Sequence, residues 1–193
     1  MTTDARRPLW MLVDLEPGYD RLRVGDVIEG SAVWLEAGID IQDSPIPGEI
    51  LSTDVAAVVG DSAGPHCVLD LGALGSVLAG ARGETGSAVR MSGTPMLDRY
   101  AWATSRLRSK VRGRIVRTGV LVRSHSSPGE PGWYDGAGLW DGPLRFRSVP
   151  PWERVQTFAP GRGACVEWYC VEIEPVDDAT SSVHPAHEAS DPR

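Results

Sequence analysis

With 193 residues, 41% of them hydrophobic and 23% charged, the chain has a globular composition and enough length for one sizeable core or two small ones. A formal net charge of −7 opposes general attraction to DNA, RNA or anionic lipid, so any polyanion site has to be local. The 22 glycines and 15 prolines favour strands joined by turns over long helices.

Residues 1–7 read as a frayed end. Leu9 to Val13 is continuously apolar and is stopped by Asp14 and by Glu16-Pro17-Gly18, which predicts a buried strand and a turn. The run is too short to span a membrane and no small-residue cleavage site follows it, so it is read as neither a signal peptide nor a transmembrane segment. Gly25-Asp26 suits a tight entry turn into a strand over Val27 to Leu35. Residues 38–48, with Pro45 and Pro47, read as loop. Two periodicities compete over 50–59. Leu51, Val55, Val58 and Val59 fit a short helix, whereas Leu51, Val55, Ala57 and Val59 fit a strand.

His66 to Leu71 and Ser87 to Met91 have strand composition. Thr94-Pro95 is a helix-start signal, and Met96, Leu97, Tyr100, Thr104 and Leu107 follow at helical spacing. One helix is therefore expected over about 95–107. The most legible stretch follows it. In Ser109 to Arg123, Lys110, Arg112 and Arg114 alternate with Val111, Gly113 and Ile115, the pattern of a strand with one basic and one apolar face. The phase then slips, because Ile115 and Val116 are both apolar and the later apolar set is Val120 and Val122. An extra residue, or a bend near Thr118-Gly119, accounts for the slip.

Laid over this strand with Gly25 against Gly113, the earlier segment sets Val27 and Ile28 against Ile115 and Val116. Asp26 and Glu29 then fall against Arg114 and Arg117. Charge inverts where shape is kept, which fits either a decayed duplication or two strands obeying one pattern.

From Ser124 to Pro143 the chain is loop-like, yet Gly132-Trp-Tyr-Asp-Gly136 and Gly138-Leu-Trp-Asp-Gly142 are near-repeats, each ending in a turn-forming Asp-Gly pair. A small aromatic hairpin is expected. Leu144 to Val149, Val155 to Phe158 and Ala164 to Ile173 are strand candidates, and the polar stretch beyond Pro175 has no apolar periodicity. The architecture predicted is mainly β. It is a small barrel or sandwich over 8–175, with 22–35, 109–123 and 164–174 as central strands, one short helix at about 95–107, and a disordered tail at 176–193.

Two constellations are candidate sites. The basic run 106–117, with Arg112, Arg114 and Arg117, offers charges at about 7 Å intervals to a phosphate backbone or an acidic protein. Cross-strand ion pairs with Asp26, Glu29, Glu167, Glu172 or Glu174 would explain the same pattern without a partner. Trp133, Tyr134 and Trp140 form the second, as a platform for a ligand or a lid over the protein's own core.

Metal and catalytic signals are weaker. Cys67, Cys165 and Cys170 are odd in number and form no CxxC pair, so neither a disulfide framework nor a zinc site is expected, and the compartment reads as the reducing cytoplasm. Cys165 and Cys170 point to opposite faces unless their strand bulges. His184 and His187 belong to the polar tail. Asp40 with Asp43, and Asp135 with Asp141, are carboxylate pairs where turns place such residues anyway. No frame surrounds a nucleophile near His66 or His125.

The leading functional expectation is a non-enzymatic binding module for another protein or a small ligand, without cofactor, metal or membrane contact. Its rivals are a nucleic-acid-binding barrel using 106–117 and an enzyme assembled from distant residues around His125 or Cys67.

Overall fold

The computed structural model describes residues 8–15, 21–98, 100, 106–124, 142–161 and 164–176. Strands dominate them: β1 (Leu9–Val13), β2 (Val27–Gly30), β3 (Ala32–Glu36), β4 (Asp40–Ile41), β5 (Ser44–Pro45), β6 (Ser52–Ala63), β7 (His66–Asp70), β8 (Gly75–Gly80), β9 (Ala88–Leu97), β10 (Lys110–Ser124), β11 (Arg145–Val149) and β12 (Ala164–Glu174). Single 3-10 turns occur at Gly48–Ile50, Gly72–Leu74 and Val155–Thr157.

The mainly β expectation holds, and the barrel form of it is the one observed. β6, β7 and β8 are successive antiparallel neighbours, β3 joins β8 in parallel at Val33 and Leu78, and β9 runs antiparallel to both β3 and β6, closing a five-stranded barrel. Alternate residues of these strands turn inward, as period-two patterning requires: Ala57 and Val59, Cys67 and Leu69, Val77 and Ala79, Ala32 and Trp34, Met91 and Leu97. A second circuit shares β9, β3 and β8. It runs from β9 through β1, β12 and β10 and returns to β8 where Val111 faces Gly75. Leu9, Met11, Val13, Val111, Ile115, Val171 and Ile173 continue the same core into it.

β1 is buried on both faces, which explains an apolar run without alternation. Leu9, Met11 and Val13 face the barrel core, while Trp10 and Leu12 join Ile41, Ile46, Ile50, Leu121, Leu144 and Cys170 in a second core. Each such side chain removed from water stabilises the fold by roughly 1.5–3 kcal/mol.

The phase slip in β10 is a β-bulge. Ile115 pairs with Ile173 and Arg117 with Glu172, leaving Val116 as the inserted residue, two positions before the bend expected at Thr118-Gly119. Val111, Gly113 and Ile115 are buried before the bulge, and Thr118, Val120 and Val122 after it. A second slip on β12 sets Val166 and Trp168 against the adjacent residues Val122 and Leu121, so Glu167 is inserted there. It brings Cys165 and Cys170 to one face, opposite Arg123 and Gly119 respectively, but four ladder steps apart, about 13 Å.

The helix expected over about 95–107 does not start where its signal lies, because Pro95, Met96 and Leu97 belong to β9. Thr94 is fully buried and its hydroxyl donates to the Trp10 carbonyl at 2.9 Å instead of capping a helix. Pro95 pairs with Trp34 of β3, and on the other edge it falls between the end of β6 pairing at Gly93 and the start of β1 pairing at Met96. A missing N–H is tolerated in that gap. Residues 99 and 101–105 lie outside the described residues.

The ambiguous 50–59 is strand from Ser52, the 38–48 loop contains the β4–β5 hairpin, and 155–157 is a 3-10 turn where a strand was expected. β8 was not foreseen. The tail at 177–193 also lies outside the described residues.

Candidate functional site

The bulge determines which way the basic row faces. Arg112 and Arg114 point away from the core before Val116, and the inserted residue keeps Arg117 on that same outer face. β2 runs antiparallel beside them, with Glu29 opposite Arg112 and Val27 opposite Arg114. Glu29 takes two partners, Lys110 Nζ at 2.7 Å and Arg112 Nε at 3.3 Å. Arg114 donates to the Gly25 carbonyl at 3.2 Å. Glu29 is thus a cross-strand partner of the basic row, whereas Asp26 pairs within its own segment, 3.4 Å from Arg23 Nε.

Arg117 holds Glu172 with both Nε and a terminal nitrogen, the latter 2.9 Å from Oε1, and its guanidinium carbon lies 5.2 Å from the centre of the Trp10 ring. The hydrogen bond to Glu172 raises the Arg117 pKa above its ordinary value, against a smaller opposing effect of burial. Trp10 in turn meets Phe146 of β11 edge-on, ring centres 5.0 Å apart.

Sequence reasoning missed the most buried cation among the described residues. Arg123 is only 5% exposed, and its guanidinium donates to Ser44 Oγ at 2.9 Å and to the Gln42 and Gly142 carbonyls at 2.8 and 3.3 Å. Its Nε lies 3.5 Å from the carboxylate of Glu167, the inserted residue of β12. Gln42 and Asp43 form the two-residue β4–β5 turn with φ of 48° and 60°, a primed turn made without glycine. Arg123 therefore ties a strained hairpin to the sheet. Cys165 donates to Glu167 Oε1 at 3.2 Å, and burial first, then that carboxylate, pushes its thiol up to about 11.

A second basic surface lies on β11 and the segment after it. Arg145 and Arg147 face Val122 and Val120 across the ladder. A turn closed by Glu153 N–H to the Pro150 carbonyl at 2.9 Å leads into the 3-10 turn, whose Val155 packs with Val120, Val122 and Val149. The segment thus folds over the face carrying both arginines, and Arg147 secures its far end by donating to the Pro160 carbonyl at 2.9 Å. Trp152, at the corner of the turn beside Pro150-Pro151, is 86% exposed. Arg145, Arg147 and Arg154 are exposed and meet no carboxylate among the described residues. Sequence offered one usable signal, an aromatic held by a double proline and followed by an arginine.

Trp133, Tyr134 and Trp140, with His125, Asp135, Asp141, His184 and His187, lie outside the described residues. Cys67 is fully buried and its Sγ donates to the Gly80 carbonyl at 3.2 Å. Asp40 and Asp43 are exposed on the β4–β5 hairpin. Among the described residues no three His, Cys, Asp or Glu side chains gather as a metal site, and no helix is long and apolar enough to cross a membrane. No protein-family model matches the chain, and neither a curated protein nor a solved structure does.

Proposed function

We propose that the protein is a non-catalytic cytoplasmic binding module that docks an acidic protein partner through Trp152 and the arginines around it. The observation that carries this reading is the exposure of Trp152, 86%, on a proline-stiffened turn that follows β11, where Arg145, Arg147 and Arg154 meet no carboxylate among the described residues. A rigid aromatic preceded and followed in sequence by arginines that hold no carboxylate among the described residues costs little entropy on binding and matches the composition of interface hot spots. The basic row at 106–117 supports a partner site less well, because Lys110, Arg112 and Arg117 already hold the protein's own carboxylates. Three free cysteines, two of them buried, favour a reducing compartment. A core that joins the first strand to the last, with side chains from β1, β2, β3, β6, β7, β8, β9, β10 and β12, supports residues 8–175 as one folding unit.

Chromatography on immobilised polyglutamate tests the reading. A chain of net charge −7 should be repelled by such a matrix unless a basic patch engages it. Wild-type protein should be retained at low salt, and the triple variant Arg145→Glu, Trp152→Ala, Arg154→Glu should flow through. Equal elution of the two proteins overturns the proposal.

A further inference from the structure

We infer that β11 is a docking edge, and that the acidic partner binds there as an extended peptide adding a strand to the sheet. The inference rests on the binding role proposed above and names the mode of that same site. β11 pairs with β10 along one edge only, and among the described residues no backbone hydrogen bond reaches its other edge. An open edge offers alternate N–H and C=O groups in register with any extended chain.

Arginines on an edge strand also act as guards against aggregation, but that role gives no reason for an exposed tryptophan on the turn that follows the same strand. Their charge selects the occupant. In edge-to-edge pairing with a second copy, the arginine row would face its own image, and like charges across a ladder are destabilising. An acidic strand places carboxylates beside Arg145 and Arg147 and leaves Trp152 to cover its end. Single-stranded nucleic acid would use the tryptophan and the charges but not the backbone edge.

The probe is a fluorescent peptide of alternating glutamate and valine, long enough to span β11, titrated with the full chain and followed by anisotropy. Two further versions carry N-methyl groups on alternate backbone nitrogens, one on the glutamates and one on the valines. Only one set of peptide N–H groups can face the edge, so one version should lose about tenfold or more in affinity while the other stays within about twofold of the parent. Trp152→Ala and Arg145→Glu, both at exposed side chains, should each weaken the parent peptide about tenfold.

If both methylated versions bind like the parent, and the surface variants still weaken it, strand addition is wrong while the binding surface stands. If an oligothymidylate binds and the peptides do not, the partner class is wrong. If polyglutamate retains the protein but the alternating peptide fails at millimolar concentration, strand addition is overturned alone. Failure of both probes removes the binding proposal with it.

Discussion

Arg117 and Glu172 face each other across the β10–β12 ladder immediately after the bulge at Val116, the carboxylate 12% exposed and the guanidinium 62% exposed. The pair is lopsided, with the buried partner depending on the exposed one.

Removing the arginine should therefore cost more than an ordinary surface pair is worth. Arg117→Ala strands a largely buried carboxylate and should destabilise by about 3 kcal/mol. Arg112→Ala leaves Glu29 with Lys110 and should cost no more than about 1 kcal/mol. Urea unfolding measures both, and equal losses would show that Glu172 does not rely on its partner.

The outer basic row should not act as a phosphate site. At about 0.15 M salt the wild-type protein should pass through a phosphate-bearing matrix, and Arg114→Glu should leave both elution and stability nearly unchanged. Strong wild-type retention abolished by Arg114→Glu would return the row to the nucleic-acid reading.

Gly113 has no room for a methyl group. A Cβ there would lie 2.7 Å from Ile173 Cβ and 3.1 Å from the Glu174 carbonyl oxygen. Gly113→Ala should lower stability by about 1–3 kcal/mol. Ile173→Gly in the same chain removes that Cβ and should make the combined loss smaller than the sum of the two single losses, whereas Ile173→Ala keeps it and should relieve little.

The hairpin under Arg123 carries strain that a better turn sequence would remove. Gln42→Asn with Asp43→Gly, the preferred pair for a primed turn, should raise the unfolding free energy by about 1 kcal/mol. Arg123→Lys should lower it by about 1–3 kcal/mol, because an ammonium cannot span Ser44 and the Gln42 carbonyl as the planar fork does. Thermal or urea midpoints of the two variants should move in opposite directions.

Cys165 should be slow to alkylate. Its thiol is displaced from 9.0 to about 11, so at pH 8 its thiolate fraction is about 100-fold below that of a free cysteine, and its rate should climb tenfold per pH unit until about pH 11. Because the unfolded chain ionises first, the same shift makes stability fall as pH rises from 9.0 through about 11. A Cys165→Ser protein should lose that part of the alkaline decline, and an unchanged profile would contradict the shift.

How much was legible depended on whether a residue's state was set by its neighbours in sequence or across the sheet. The bulge showed as a broken alternation at Ile115-Val116, and Glu29 could be matched with the arginines by charge alone. Thr94-Pro95 misled because the same two residues that start a helix also fit a strand that changes neighbours between β6 and β1, a fact held in strands far away. β8, reading Gly-Ser-Val-Leu-Ala-Gly, has weak strand propensity and owes its conformation to β7 and β10. Arg123 looked like one more basic residue of the strand, since nothing local announced that the 42–44 turn would fold onto it. The double proline and the arginine two residues on set Trp152 apart in the sequence but did not fix its exposure, because an aromatic after two prolines packs inward as readily as outward.

The pairing of β1 with β12 along all five of its residues, Leu9 with Ile173 to Val13 with Tyr169, also sets a clock. At about 5–20 residues per second of synthesis, the last strand leaves the ribosome on the order of 10–30 s after the first. For that interval Leu-Trp-Met-Leu-Val is a sticky apolar segment with neither of its cores to enter, and in sequence it is bracketed by Arg6-Arg7 and Asp14. Charges so placed are the means by which a nascent chain keeps an early strand from finding the wrong partner before the right one exists.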